Sequence, residues 1–374
     1  MENEPTMMTY ILESPDQLKN NILNAKEITK ELVDLYCEKD YRSIWIIACG
    51  SSSNGSNCAK PFMMKYLNCD VKIVNPSTFL YSENKIKEDD FVFVVSQSGC
   101  STNSIDALRK LKEMNIRSIG LTGNANSDFK KEADVTIDWC VGEEKVGYVT
   151  KGVTTLCLFF ILFSLEAGLR KGILSKDAYD AVFEELKEAP ERNRIVQEET
   201  MAFYQVNKKV LTSMNVAYSV GFAQGYGIAC ESALKMGETI KVPSFSYEAE
   251  EYIHGPNLQL TPDYTVFIYD DMEAGSKRIG QIYQATQSVT DKTFMVTNNP
   301  IVPEDHAIRL PFDIKEPALL PLYVLPFVQT ISYLASDDLN SWDNHPLFAQ
   351  FKHFASTKTD TIKDIMPDCY TEKE

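Results

Sequence analysis

The sequence predicts an α/β fold in which a parallel β-sheet, covered by helices on both faces, occurs twice. Three observations carry this. Near-continuous apolar runs alternate with helical patterns, as expected of parallel strands buried on both sides. The alternation halts across a charged stretch and then resumes. Two segments, IWIIACGSSSNGSNCAKPF (44–62) and VAYSVGFAQGYGIACESAL (216–234), repeat one order of strand, Gly-rich polar turn and helix.

Taken in order, residues 1–30 read as a helical lead-in and 31–175 as the first domain. Its strands are SIWIIACG (43–50), VKIVNP (71–76), FVFVVSQ (91–97), RSIGLTG (117–123) and DVTIDW (134–139), each ending at small or polar residues. SIDALRKLKEMN (104–115) is a helix between two of them. The apolar stretch VTTLCLFFILFSL (153–165) has 13 residues before Glu166, short of the roughly 20 that span a bilayer, and predicts a buried core helix. Residues 176–205 form a linker helix, interrupted by Pro190. The second domain, 206–340, contributes the strands VAYSVG, TVFIYD (265–270) and KTFMVTN (292–298), and a tail follows at 341–374.

The chain's 374 residues accommodate two domains of ordinary size, and 44% apolar with 24% charged residues is a globular composition. A net charge of −16 argues against a nucleic-acid surface, as does the lack of a basic helix-turn-helix pattern in residues 1–40. An anionic ligand must therefore be caught locally, by a neutral or dipolar site. The nine cysteines form no metal-like C-x-x-C pair; Cys49, Cys140, Cys157 and Cys230 sit in apolar runs and are expected as buried free thiols. The N-terminus lacks a basic, apolar secretory leader. A cytoplasmic protein, with no membrane and no nucleic-acid partner, is expected.

Ligands of open parallel sheets bind beyond the carboxyl ends of the strands. There the chain places SQSGCSTNS (96–104), a stretch without charge. A strand end followed by glycine and a helix start offers unpaired N–H groups and a positive dipole end, and the hydroxyls of Ser96, Ser98 and Ser101 add donors. Such a turn is a phosphate or sugar-phosphate cradle; it is equally a set of helix N-caps, where Ser and Thr are common. No G-x-x-x-x-G-K-[ST] is present, and GFAQGYG is not a dinucleotide fingerprint.

Residues 229–256, ACESALKMGETIKVPSFSYEAEEYIHGP, are the second informative stretch. On a helix Glu231, Lys235 and Glu238 share one face. A carboxylate pair around a lysine can work as a base while the lysine neutralises developing negative charge. The same spacing also suits a solvated ion-pair face. His254 precedes a Gly-Pro break, where an imidazole can reach a ligand, although a lone histidine also serves structural ends. The four histidines, His254, His306, His345 and His353, show no metal spacing, and no G-x-S-x-G elbow appears, so no metal and no other cofactor is expected.

On ACGSS (48–52), SQSG (96–99), TKG (150–152), E-S-A-L-K-x-x-E (231–238) and E-x-x-H-G-P (251–256), the chain resembles the tandem sugar-isomerase (SIS) domain proteins. These include the isomerase half of glucosamine-fructose-6-phosphate aminotransferase and the fructosamine-6-phosphate deglycases. The resemblance spans about residues 20–350 and implies two SIS domains, each a flavodoxin-like three-layer sandwich. It implies that Ser96, Gln97, Ser98 and Ser101 hold a 6-phosphate, and that Cys49, Gly50, Ser51 and Ser52, with Thr150 and Lys151, line the sugar. Glu238 matches the proton-shuttling glutamate, His254 the ring-opening histidine, and Glu231 and Lys235 the supporting residues. A homodimer is implied in which His254 reaches the neighbouring subunit's site. A tail lysine closes the aminotransferase site, and here HPLFAQFKH offers Lys352.

The chain departs from the aminotransferase pattern at Cys100, which replaces an acid, and at Val149, which replaces a serine; no glutaminase portion is expected. ACGSSSNGSNCAKPF and TKG stand closer to deglycases. The expected activity is deglycation of a fructosamine 6-phosphate by a C1–C2 proton shift. A glucosamine-6-phosphate deaminase or ketose–aldose isomerase, and a non-catalytic sugar-phosphate sensor, are the alternatives. Amine specificity is expected in residues 242–250, in Tyr148 and Val149, and in the tail.

Overall fold

The computed structural model describes residues 5–370. Two helices, α1 (Met7–Leu23) and α2 (Ala25–Tyr36), precede the first unit. That unit runs β1 (Ser43–Ile47), α3 (Ser51–Leu67), β2 (Asp70–Val74), α4 (Pro76–Tyr81), β3 (Asp90–Ser96), α5 (Thr102–Glu113), β4 (Ile119–Thr122), α6 (Phe129–Glu132), β5 (Val135–Asp138) and α7 (Lys151–Arg170). Helices α8 (Lys176–Leu186) and α9 (Ala189–Leu211) lead to the second unit. It runs β6 (Val216–Gly221), α10 (Ala223–Lys235), a π-helical turn Met236–Ile240, β7 (Ser244–Glu248), α11 (Ala249–Ile253), β8 (Tyr264–Tyr269), α12 (Ser276–Gln287), β9 (Thr293–Val296), β10 (Ala307–Ile308) and α13 (Leu320–Leu339). The tail carries α14 (Phe348–Phe354) and α15 (Thr361–Ile365).

Both sheets have five parallel strands, ordered β2-β1-β3-β4-β5 and β7-β6-β8-β9-β10. Numbered within its own unit, each reads 2-1-3-4-5, the flavodoxin-like order. The repeat seen in two sequence segments therefore extends to the whole topology. Every residue of β1, β3 and β4 is buried, because helices cover both faces of the sheet. The edge strand β7, SFSYE, is only partly buried, and its mixed composition hid it in the sequence.

The apolar stretch 153–165 lies inside α7 and is buried throughout, packed against α1, α2 and α3. Helix α13 plays the matching part between α9 and α10, and residues of both units share one continuous core. Both helices are long and apolar enough to cross a membrane, yet 89% of each apolar window is enclosed by the rest of the chain. The linker is two helices rather than one interrupted at Pro190: the break falls at 187–188, and Pro190 lies in the first turn of α9, where no N–H partner is lost. Among the described residues no disulfide forms; Cys157 is buried as expected, whereas Cys49, Cys140 and Cys230 are partly exposed.

A candidate active site at the carboxyl ends of the first sheet

A cavity of about 680 Å³, large enough for a small-molecule ligand, opens beyond the ends of β1, β3 and β4. It lies where the strand order reverses between β1 and β3, the crevice in which open α/β sheets bind ligands. Its walls are the start of α3 (Cys49, Gly50, Ser51, Ser52), the turn from Ser96 to Ser101, the loop 141–149, Glu238 from the second unit, and the tail.

The turn after β3 is a hydroxyl cradle. Ser96 Oγ donates to Ser101 Oγ at 3.1 Å, and Cys100 N–H donates to Ser98 Oγ at 3.3 Å. The charge that the sequence lacks at this turn arrives from the far end of the chain. Lys358 Nζ donates to Ser98 Oγ at 2.8 Å and to Ser101 Oγ at 3.0 Å. Burial holds its ammonium below the usual lysine range, with Cys100 and Cys49 the groups that favour its charge. Among the described residues no carboxylate forms an ion pair with it, so the turn presents a positive group flanked by hydroxyls. The tail is pinned here by an isolated antiparallel bridge between Ser101 and Lys358: Thr102 N–H donates to Thr357 O, Thr359 N–H to Cys100 O, and the Thr359 and Thr361 hydroxyls to Asp128.

This corrects the assignment of Lys352. That residue lies on α14, outside the cavity, with its ammonium 5.4 Å from the Phe348 ring. Lys358, six residues later, occupies the site because the segment 357–359 pairs with the edge of the cradle rather than continuing α14.

Glu238 stands on the π-helical turn that follows α10, with its side chain 34% exposed and facing the cavity. Such turns recur at functional sites, because the extra residue re-aims a side chain. Lys235, fully buried behind it, donates to Glu238 Oε2 at 2.7 Å and lies 3.4 Å from Glu231 Oε1. Burial alone pushes Lys235 down, but Glu231, Glu238 and Glu144 together outweigh it and hold the ammonium above its ordinary range. The solvated-face alternative for this helix is thus excluded. Glu231 and Lys235 back the site without lining it.

Other predicted residues fall elsewhere. Thr150 and Lys151 begin α7 rather than lining the cavity: Thr150 is fully buried, and Lys151 Nζ turns to Glu13 at 3.0 Å and to Glu143 O. Their neighbour Val149 does line it, whereas Tyr148 donates to Trp342 O instead. His254 is exposed at the end of α11, outside this chain's cavity, and residues 242–250 lie around β7 and α11, equally outside it. Gln97 is in the cavity wall, its Nε2 donating to Glu144 Oε2 at 2.5 Å. Glu144, which sequence reasoning missed, also accepts the N–H groups of Thr150, Lys151 and Gly152, so it caps α7. Burial pushes its carboxyl up, against these donors. Only its place just before the core helix could have signalled it.

The matching turn of the second unit, after β8, is closed by its own acids. Asp271 accepts the N–H groups of Glu273 and Gly275, and Asp270 accepts Met272 N–H and the hydroxyls of Ser276 and Thr297. Carboxylates fill the place that hydroxyls line in the first unit, so the first turn borders a cavity and the second is closed on itself.

Residues 35–165 match the SIS domain. The glutamine–fructose-6-phosphate aminotransferase [isomerizing] of Thermotoga maritima is 26% identical over 349 residues, covering 88% of this chain and 55% of that protein. The enzyme of the same name from Wigglesworthia glossinidia brevipalpis is 26% identical over 360 residues, covering 90% and 56%. The chain thus spans about half the length of the curated relatives it matches. Among solved structures, a candidate phosphosugar isomerase from Clostridium difficile 630 superposes with a TM-score of 0.83 at 25% identity, covering 95% of this chain and 99% of that one. The C-terminal domain of glucosamine-fructose-6-phosphate aminotransferase from Francisella tularensis shares the fold, with a TM-score of 0.79 at 22% identity over 92% of this chain and 99% of that one.

Proposed function

Because this chain carries a SIS domain, we propose that it is a phosphosugar-processing enzyme whose reaction is a proton shift between C1 and C2. The observation that carries the reading is the pairing, in one cavity, of an anion cradle with a carboxylate backed by a buried lysine. The phosphate sits among Ser96, Ser98 and Ser101 against Lys358. Glu238 takes a proton from C1 of a fructosamine 6-phosphate and returns it at C2 of the enaminol so formed, and Lys235 offsets the charge carried by the carboxylate. The product is an imine, which water splits into hexose 6-phosphate and free amine, so a fructosamine-6-phosphate deglycase is the specific activity proposed. No metal or redox step enters this sequence. Cysteines without a disulfide among the described residues suit a reducing, cytoplasmic setting.

His254 completes the proposal in a homodimer, where its exposed position lets it open the hexose ring in the neighbouring subunit's site. A second reading is favoured by the isomerizing relatives: the same proton shift on a hexose or amino-hexose 6-phosphate, giving a ketose–aldose isomerase or a deaminase. Proton NMR in D₂O separates the two, with fructoselysine 6-phosphate and glucosamine 6-phosphate as substrates. Glucose 6-phosphate and lysine, with deuterium at C2, support deglycation; turnover of the second substrate alone supports the alternative. Binding of both without turnover overturns the enzyme reading in favour of a sensor. Glu238→Gln is expected to abolish C1–C2 exchange while leaving phosphate-dependent binding intact.

A further inference from the structure

Helix α3 of the first unit and α10 of the second run against each other at close range. A Cβ at Gly227 would stand 2.5 Å from the Cys58 backbone nitrogen, so the glycine sets the separation of the helices. One turn along each helix from this contact, Glu231 faces Asn54. Asn54 Nδ2 donates to Glu231 Oε2 at 2.9 Å, and Ser51 Oγ donates to Glu231 Oε1 at 3.0 Å. Ser51 and Asn54 are three residues apart and so share a face of α3. Lys235 Nζ also donates to Ser51 Oγ, at 3.3 Å. Ser51 borders the cavity; Asn54 does not.

From this arrangement we propose that Asn54 is a positioning residue of the catalytic helix, holding the buried Glu231 ionised so that Lys235 is shared between two carboxylates. The argument follows the charge. Glu231 is fully buried, which favours its neutral form. Lys235, Asn54 and Ser51 work against that without cancelling it, so the carboxyl stays above its ordinary range, and Asn54 is the closer of the two neutral donors. The remaining titratable groups around Glu231 are Cys230 on its own helix, Glu238 on the following turn and Cys58 on α3. With Glu231 ionised, the Lys235 charge is divided between Glu231 and Glu238, and Glu238 keeps its strength as a base. With Glu231 protonated, the whole charge falls on Glu238 and its proton affinity drops. The base of one repeat is thereby set by an amide of the other.

Asn54→Leu keeps the branched skeleton of the side chain and removes the donor. The carbonyl-stretch infrared band of a protonated carboxylic acid is followed against pH in the variant, in the wild-type chain and in Asn54→Leu combined with Glu231→Gln. A lost hydrogen bond to a buried charge shifts the midpoint of that band up by about one pH unit, and the Glu231→Gln combination removes the shifted band. An unmoved midpoint, or a band that survives Glu231→Gln, overturns the proposal. The kinetic arm rests on the proton-shift reading: the acid limb of kcat moves to higher pH by a similar amount and kcat near that limb falls about tenfold, while KM changes less than twofold. Inorganic phosphate, which engages the distant cradle, is expected to bind as in the wild-type chain. A parallel loss of phosphate affinity makes Asn54 merely structural. The infrared arm needs no turnover, so its failure and the failure of the proposed activity are told apart.

Discussion

Replacing Lys358 by methionine tests the cradle most directly. The substitution keeps the unbranched stem and removes the ammonium that touches Ser98 and Ser101. A hydrogen bond to a charged group contributes about 1.5–3 kcal/mol, and the partly buried Lys358 makes two contacts to the cradle, so the upper part of that range applies. About 2.7 kcal/mol corresponds to roughly a hundredfold loss of affinity for glucose 6-phosphate. Calorimetric titration with glucose 6-phosphate, inorganic phosphate and glucose reads it; the first two weaken together and glucose is unaffected. The pH dependence has a definite sign. A lysine depressed by burial is charged below its lowered pKa and neutral above it, so phosphate affinity of the wild-type chain falls as pH rises through that value, below the ordinary 10.5. The variant lacks this limb. In the ligand-free chain the same depressed lysine costs stability while it is charged, so Lys358→Met raises the midpoint of thermal unfolding at neutral pH, and the difference narrows at alkaline pH. Equal losses for phosphorylated and unphosphorylated sugar, or a lowered midpoint with unchanged phosphate affinity, refute the assignment.

Two further outcomes are expected. Glu238→Gln and His254→Asn chains, each inactive alone, should recover about a quarter of wild-type activity when refolded together, because half of the dimers are mixed and each mixed dimer has one intact site; no recovery would place His254 in the site of its own chain or outside the reaction. Gly152→Ala is the second: its methyl would stand 1.9 Å from Gln97 Oε1 and must displace the amide from Glu144. Losing that bond costs about 2 kcal/mol against roughly 1 kcal/mol gained from alanine's helix propensity, so urea unfolding should show a net loss of about 1 kcal/mol. A stabilised variant would show that the Gln97–Glu144 contact contributes little.

The strands were legible because burial on both faces writes itself as short unbroken apolar runs such as FVFVV, told from the apolar run of core helix α7 by their length. The weak edge strand β7 was not, because a partly buried edge tolerates SFSYE. The cradle was legible as a polar turn at a strand end, but its hydroxyls alone could not be told from helix caps. Glu231, Lys235 and Glu238 were visible as a spacing, while their environment was not: a fully buried Lys235 and an exposed one have the same letters around them.

What the sequence determined by itself is therefore local: strand and helix periods, the repeated segment pattern, the turn chemistry and the shared face of Glu231, Lys235 and Glu238. Each depends on residues within a few positions of one another. The tertiary structure decided the pairings made across long separations. Lys358 reaches Ser98 across 260 positions and Asn54 reaches Glu231 across 177. It also decided which repeat is open, since Asp271 closes its own turn whereas Ser98 borders a cavity. Charge in this site is set by desolvation and by partners that only the folded chain brings within 3 Å, and neither quantity has a counterpart in a run of letters.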